Sequence, residues 1–153
     1  MQKPLHILVV VCALCAGLSA AAQTSNFLQA KSHQQYPAGG EFSVFSSITK
    51  YLSLGDAASL SSWFADNLEV TVISSSRICS KKQATEILRT FFQSNTPRSF
   101  QVTHKASESN KKYLIGLLNA GGELFQVTIY VTASGSDTYK IQQLNISRQT
   151  AAY

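Results

Sequence analysis

From Glu41 onward the apolar positions recur every three or four residues: Phe42, Phe45, Ile48 and Leu52. That spacing marks one face of a helix. Gly55 follows, and a residue without a Cβ suits the positive φ of a helix C-cap. Asp56 suits the N-cap of a second helix, because its carboxylate can accept an orphan backbone N–H. Within "LGDAASLSSWFADNLEV", Leu54 to Val70, the positions Leu60, Trp63, Phe64 and Leu68 share a helical face. The second helix is therefore expected to run through "FADN" and hand over to a strand at Glu69. "EVTVISS", Glu69 to Ser75, is rich in β-branched residues and predicts that strand. Ser80 and Gln83 have the spacing of a capping box. Ala84, Ile87, Leu88 and Phe91 then recur at helical spacing until Pro97 ends a third helix.

After Pro97 the period changes to two. In "SFQVTHK", Phe100, Val102 and His104 fall on one face, and Gln101, Thr103 and Lys105 on the other. "ASESNKK" reads as a polar turn. "YLIGLLN" is apolar on both faces, which predicts a central strand covered on both sides. Ala120-Gly121-Gly122 predicts a tight hairpin. "LFQVTIYVT" turns Phe125, Val127, Ile129 and Val131 inward and Leu124, Gln126, Thr128 and Tyr130 outward, with Gln143 and Asn145 on a neighbouring strand. "ASGSDT" turns the chain into "YKIQQLNIS", the last strand. The order is helix-helix-strand-helix followed by a four-strand antiparallel meander. That is the α+β pattern with helices on one sheet face. Parallel βαβ packing is not expected, since only one helix separates any strand pair.

The first residues follow another logic. Lys3 precedes an uncharged apolar run, Leu5 to Leu18, and the small residues "SAAA", Ser19 to Ala22. This is the pattern of a secretory signal peptide, residues 1–22, cleaved before Gln23. The run is shorter than the roughly 20 residues of a spanning helix, so no stable membrane insertion is expected after cleavage. Cys12 and Cys15 follow Val11 and Leu14, where lipid attachment favours small residues. Residues 23–40 read as a flexible N-terminal segment, 41–148 as a single domain and 149–153 as a tail. The expected destination is the periplasm or the extracellular space.

Composition removes several function classes. Thirteen Lys and Arg against eight Asp and Glu give a formal net charge of +5. The basic residues come as doublets, Lys81-Lys82 and Lys111-Lys112, without the concentrated basic face that nucleic-acid binding requires. After cleavage Cys79 stands alone, so no intramolecular disulfide is expected, and a buried inert thiol is the simpler role. No metal-ligand spacing and no Gly-rich phosphate loop is present, and no cofactor is expected.

The segments "GDAASLSSWFADNLEV", "CSKKQATEILRTFFQSNTPRSFQVTHK", "YLIGLLNAGGELFQVTIYV" and "IQQLNI" carry a resemblance. They resemble a bacterial, signal-peptide-bearing branch of the nuclear-transport-factor-two-like (cystatin-like) superfamily, catalogued as domain of unknown function 4783. The resemblance spans Glu41 to Ser147. It implies a cone, a curved sheet wrapped around helices, and no assigned activity, because fold alone does not fix function. Some cones of this kind are isomerases or dehydratases; the isomerase type uses an Asp base and a Tyr/Asp oxyanion hole in an apolar cavity. The base position falls near Val72 here, and Ile73 and Ser74 beside it serve no better. The base is missing, and no catalytic residue is carried over. Cones of this kind also pair through the sheet face, which implies a homodimer through Gln126, Thr128 and Tyr130 as one use of that face; a plain polar surface is the other.

Among individual residues, His104 is the main candidate for pocket chemistry, since a His pKa moves easily across neutral pH. Trp63, Phe100 and His104 are the candidate pocket lining. Asp66 is expected at a helix exit, and Glu69 at a solvated rim. His33 lies in the N-terminal segment. A Cys79, His104 and Asp66 triad has no support in local sequence. Asn145-Ile146-Ser147 matches a glycosylation pattern by chance. Three readings follow. The first is a non-catalytic module that binds a ligand or an envelope protein. The second is a cone-fold isomerase or lyase using His104. The third is a structural homodimer with a filled core. Aromatic residues such as Phe42, Phe45, Trp63, Phe91 and Phe100 filling the cone would count against the enzyme.

Overall fold

The computed structural model describes Gly40 and residues 42–150. The expected signal peptide, the rest of the N-terminal segment and the end of the tail lie outside the described residues. Helix α1 spans Val44–Leu54 and buries Val44, Phe45, Ile48 and Leu52. It ends as its sequence predicts. Gly55 takes φ 67, its N–H donates to Leu52 O at 3.2 Å, and the Asp56 N–H donates to Tyr51 O at 3.0 Å. These two bonds make a Schellman cap. Asp56 then accepts the Ser59 N–H at 2.9 Å and opens α2, Ala57–Ser61. Hydrogen bonds from Ser59, first from its side chain and then from its backbone N–H, hold the Asp56 carboxyl below its ordinary pKa.

The second helix is shorter than its apolar spacing suggests. It has five residues, and strand β1 runs over Phe64–Val72. The Ser61 and Ser62 hydroxyls donate back to the carbonyls of Ala58 and Ser59. Side-chain bonds of this kind compete with the helix backbone. The Ile141 N–H then captures the Trp63 carbonyl at 2.7 Å and ties the chain to the last strand. Leu60, Phe64 and Leu68 are spaced by four, which fits both a helical period and a strand period, so spacing alone does not separate the two. Asp66 is accordingly an exposed strand residue rather than a helix exit.

A strand absent from the sequence reading follows at once. β2, Ser75–Ser80, pairs antiparallel with β1 across the Ile73-Ser74 loop. It carries little apolar alternation, since Cys79 is its one buried residue. The Ser80 and Gln83 capping box then starts α3, Lys81–Ser94, which buries Ala84, Leu88, Phe91 and Phe92. The meander follows: β3 Pro97–Glu108, β4 Lys111–Ala120, β5 Glu123–Ala133 and β6 Tyr139–Arg148. Gly121 and Gly122, at φ 61 and 85, make the tight β4–β5 turn.

The result is a curved six-stranded sheet in the order β2-β1-β6-β5-β4-β3, with helices against one face. β1 and β6 pair in parallel, a pairing that the antiparallel reading does not contain. Two further differences bear on function. β4 is apolar on both faces, yet it stands next to an edge strand. Leu114, Leu118 and Ala120 are fully buried, while Tyr113, Ile115 and Leu117 on the other face remain partly exposed. Among the described residues that face is not covered. In β3 the register shifts between Val102, opposite Gly116, and His104, opposite Ile115. Thr103 is the extra residue of this bulge, and its hydroxyl donates to the Ile115 carbonyl at 3.1 Å. One inserted residue moves the following side chains to the other face. His104 therefore leaves the face of Phe100 and Val102.

Candidate functional site

The interior is filled. Phe45, Phe64 and Phe125 have at most 1% exposure, and Phe91 meets Phe125 edge-to-face at 5.1 Å between ring centroids. Phe42, Trp63 and Phe100 pack against this cluster from its edge. Such edge-to-face packing is the favoured aromatic arrangement.

The three residues expected to line one pocket are separated. His104 is exposed on the outer sheet face, where Nε2 shares a 3.2 Å hydrogen bond with the Tyr113 hydroxyl. Phe100 lies on the inner face, over Gly116. Trp63 lines a cleft of about 530 Å³ with Lys112, Asp137 and Tyr139, which includes neither of the others. In that cleft the Lys112 ammonium sits 4.4 Å from the centre of the Tyr139 ring, a cation–π contact.

The other candidates fall as follows. Glu69 is a half-buried outer-face residue that accepts the Ser76 hydroxyl at 3.1 Å, close to its expected rim role. Cys79 is buried, and burial pushes its thiol pKa up, opposed by the weaker pull of the Arg77 charge. A thiol raised in this way is a poor nucleophile. Cys79 and His104 stand on β2 and β3, the opposite edges of the sheet, so no triad forms. Among the described residues no group of three His, Cys, Asp or Glu could hold a metal. Asn145-Ile146-Ser147 lies within β6, with Ile146 in the core.

Among the described residues, two further surfaces stand out. The first is the outer face of β3–β6. Tyr113 and Tyr130 approach at 5.7 Å between centroids, and His104 extends the row at 5.6 Å from Tyr113. Leu124 and Tyr130 are each 41% exposed. Gln126, Thr128, Gln143 and Asn145 complete its centre, which has no formal charge. The outward residues of β5 were legible in the sequence; Tyr113, Ile115 and Leu117 were not, because β4 read as covered. The second surface is a groove between the β1–β2 hairpin and α3. Its residues were missed with the strand that carries them. The signals present in the sequence were Arg77, at an inward position, and Ile73, in a turn.

The family model described as "Domain of unknown function (DUF4783)" matches residues 45–147. A solved structure of a DUF4783 family protein from Bacteroides ovatus is similar at TM-score 0.65 and 22% identity, covering 69% of this chain and 94% of that chain. Its counterpart from Bacteroides uniformis is similar at TM-score 0.65 and 20% identity, covering 69% and 96%. A protein from Streptomyces avermitilis described as a putative dehydratase from the NTF2-like family shares the fold at TM-score 0.52 and 12% identity, covering 70% and 92%. Among curated proteins none matches the chain.

Proposed function

The chain belongs to the family of domain of unknown function 4783, and we propose that it is an exported, non-catalytic binding module whose binding surface is the open sheet face. The supporting observation is the two-faced apolar pattern of β4. Tyr113, Ile115 and Leu117 point away from the core and remain partly exposed, with no helix over them among the described residues. Aromatic residues with few charges are the composition of an interface centre. The proposed occupant is a second copy of the chain. The full chain's +5 falls to +4 when Lys3 leaves with the leader, and a chain of that charge resists meeting itself through basic surface. The uncharged centre formed by β4, β5 and β6 allows contact without that repulsion, and a two-fold contact needs only one self-complementary patch. The leader pattern from Lys3 to Ala22 supports export to the periplasm or beyond. The isomerase or lyase alternative loses its support with His104 outside the interior.

The test is the mass in solution of the protein recovered from the cell envelope. Light scattering should give twice the monomer mass, and intact mass should match cleavage after Ala22. Tyr130→Glu should give a monomer with an unchanged circular dichroism spectrum. A wild-type monomer at all concentrations, or a dimer that survives Tyr130→Glu, would sink the proposed contact. An envelope protein held through the same face would instead co-purify with the monomer and be lost in the variant.

A further inference from the structure

The inner side of the β1–β2 hairpin does not close against α3. A groove of about 550 Å³ separates them, walled by Val70, Val72 and Ile73 from the hairpin and Ile87, Thr90 and Phe91 from the helix. This lies within the range of roughly 300–1,000 Å³ for small-molecule sites. A hollow of about 360 Å³ beside Cys79 and Lys82 continues it, sharing Arg77, Glu86 and Ile87.

The charges along this groove are unequal. Glu86 is engaged by Arg89 one helical turn on. Arg77 is exposed and donates to the Ser75 hydroxyl at 3.3 Å, and it forms no ion pair among the described residues. Lys82 stands beyond it. An apolar trough thus ends at an unneutralised guanidinium, whose planar fork matches a carboxylate.

Ile73 supplies a second, independent observation. It begins the two-residue hairpin loop at φ 60 and is 40% exposed on the groove's rim. Left-handed backbone at a β-branched residue is a strained state, and a loop selected only for folding would use Gly or Asn there. The strain keeps a bulky apolar side chain at the mouth of an apolar groove.

We propose that this groove binds a single-chain amphiphile with a carboxylate head. The acyl chain lies along Val72, Ile73, Ile87 and Phe91, and the head group meets Arg77. The groove is on the inner side of the hairpin, away from the outer sheet face, so the two surfaces can be tested separately.

The test is calorimetric titration of the exported protein with decanoate, and with decanol as an uncharged match. Decanoate should bind at one site per chain, about tenfold more tightly than decanol, as a charge-assisted bond implies. Arg77→Gln, on an exposed edge-strand residue, should remove that difference while leaving thermal stability unchanged. Val72→Glu should abolish binding of both. Absence of decanoate binding, equal affinity for the two probes, or an Arg77→Gln protein that still prefers decanoate would each overturn the proposal.

Discussion

At Gly116 one missing side-chain carbon decides how β3 meets β4. A Cβ there would collide with the Phe100 ring and approach the Gln101 carbonyl oxygen at 2.8 Å. The ring occupies the space that any other residue would need. Gly116→Ala should therefore destabilise the domain by about 1–3 kcal/mol, the usual cost of overpacking. Chemical denaturation would show it, and the loss should shrink in a Phe100→Leu background, because the two sites share one contact. An equal loss in both backgrounds would mean that the Gln101 backbone, not the ring, sets the limit. The same scale explains why His104 was misread. Strict alternation from Phe100 puts His104 inside, and only the extra residue at Thr103 turns it out. The run "VTH" contains nothing that announces a bulge, because a bulge depends on the partner strand.

Elements defined by local chemistry were legible; those defined by their neighbours were not. The Gly55 cap, the Asp56 cap and the Ser80 box each satisfy backbone groups within a few residues, and each forms as its sequence implies. The extent of α2 and the existence of β2 depend on bonds across the sheet. Trp63 is claimed by Ile141, and the Ile73 N–H by the Ile146 carbonyl at 2.6 Å. The hairpin between β1 and β2 also carries a testable cost. Ile73 stays in left-handed backbone that Asn tolerates far better. Ile73→Asn should raise the melting temperature by about 3–6 °C, corresponding to about 1 kcal/mol. A lower melting temperature would show that the partly exposed Ile73 side chain contributes more by packing than its backbone costs.

Among the described residues, one face of the sheet packs against a filled core, with the groove at the β1–β2 hairpin, and the other is left open. The α+β order and the inward set Phe125, Val127, Ile129 and Val131 could be read from periodicity, because a single strand displays its own alternation. Which face of β4 lacks cover could not be read, since apolar residues on both sides look the same whether helices or a second chain will cover them. If a second copy covers it, the contact is apolar at the centre while the chain carries +5, or +4 without Lys3 of the proposed leader. Like charges then oppose association over a range set by the Debye length, about 30 Å at 0.01 M salt and about 10 Å at 0.1 M. Raising the salt between those limits should screen this repulsion and tighten the dimer, as sedimentation equilibrium would measure. The reverse trend, weaker association at higher salt, would mean that rim ion pairs such as those open to Glu123 and Arg148 hold the copies together. These two residues already meet each other at 2.8 Å within one chain, so they have little to gain from a partner, and the apolar centre of β4 and β5 is left to provide the attraction.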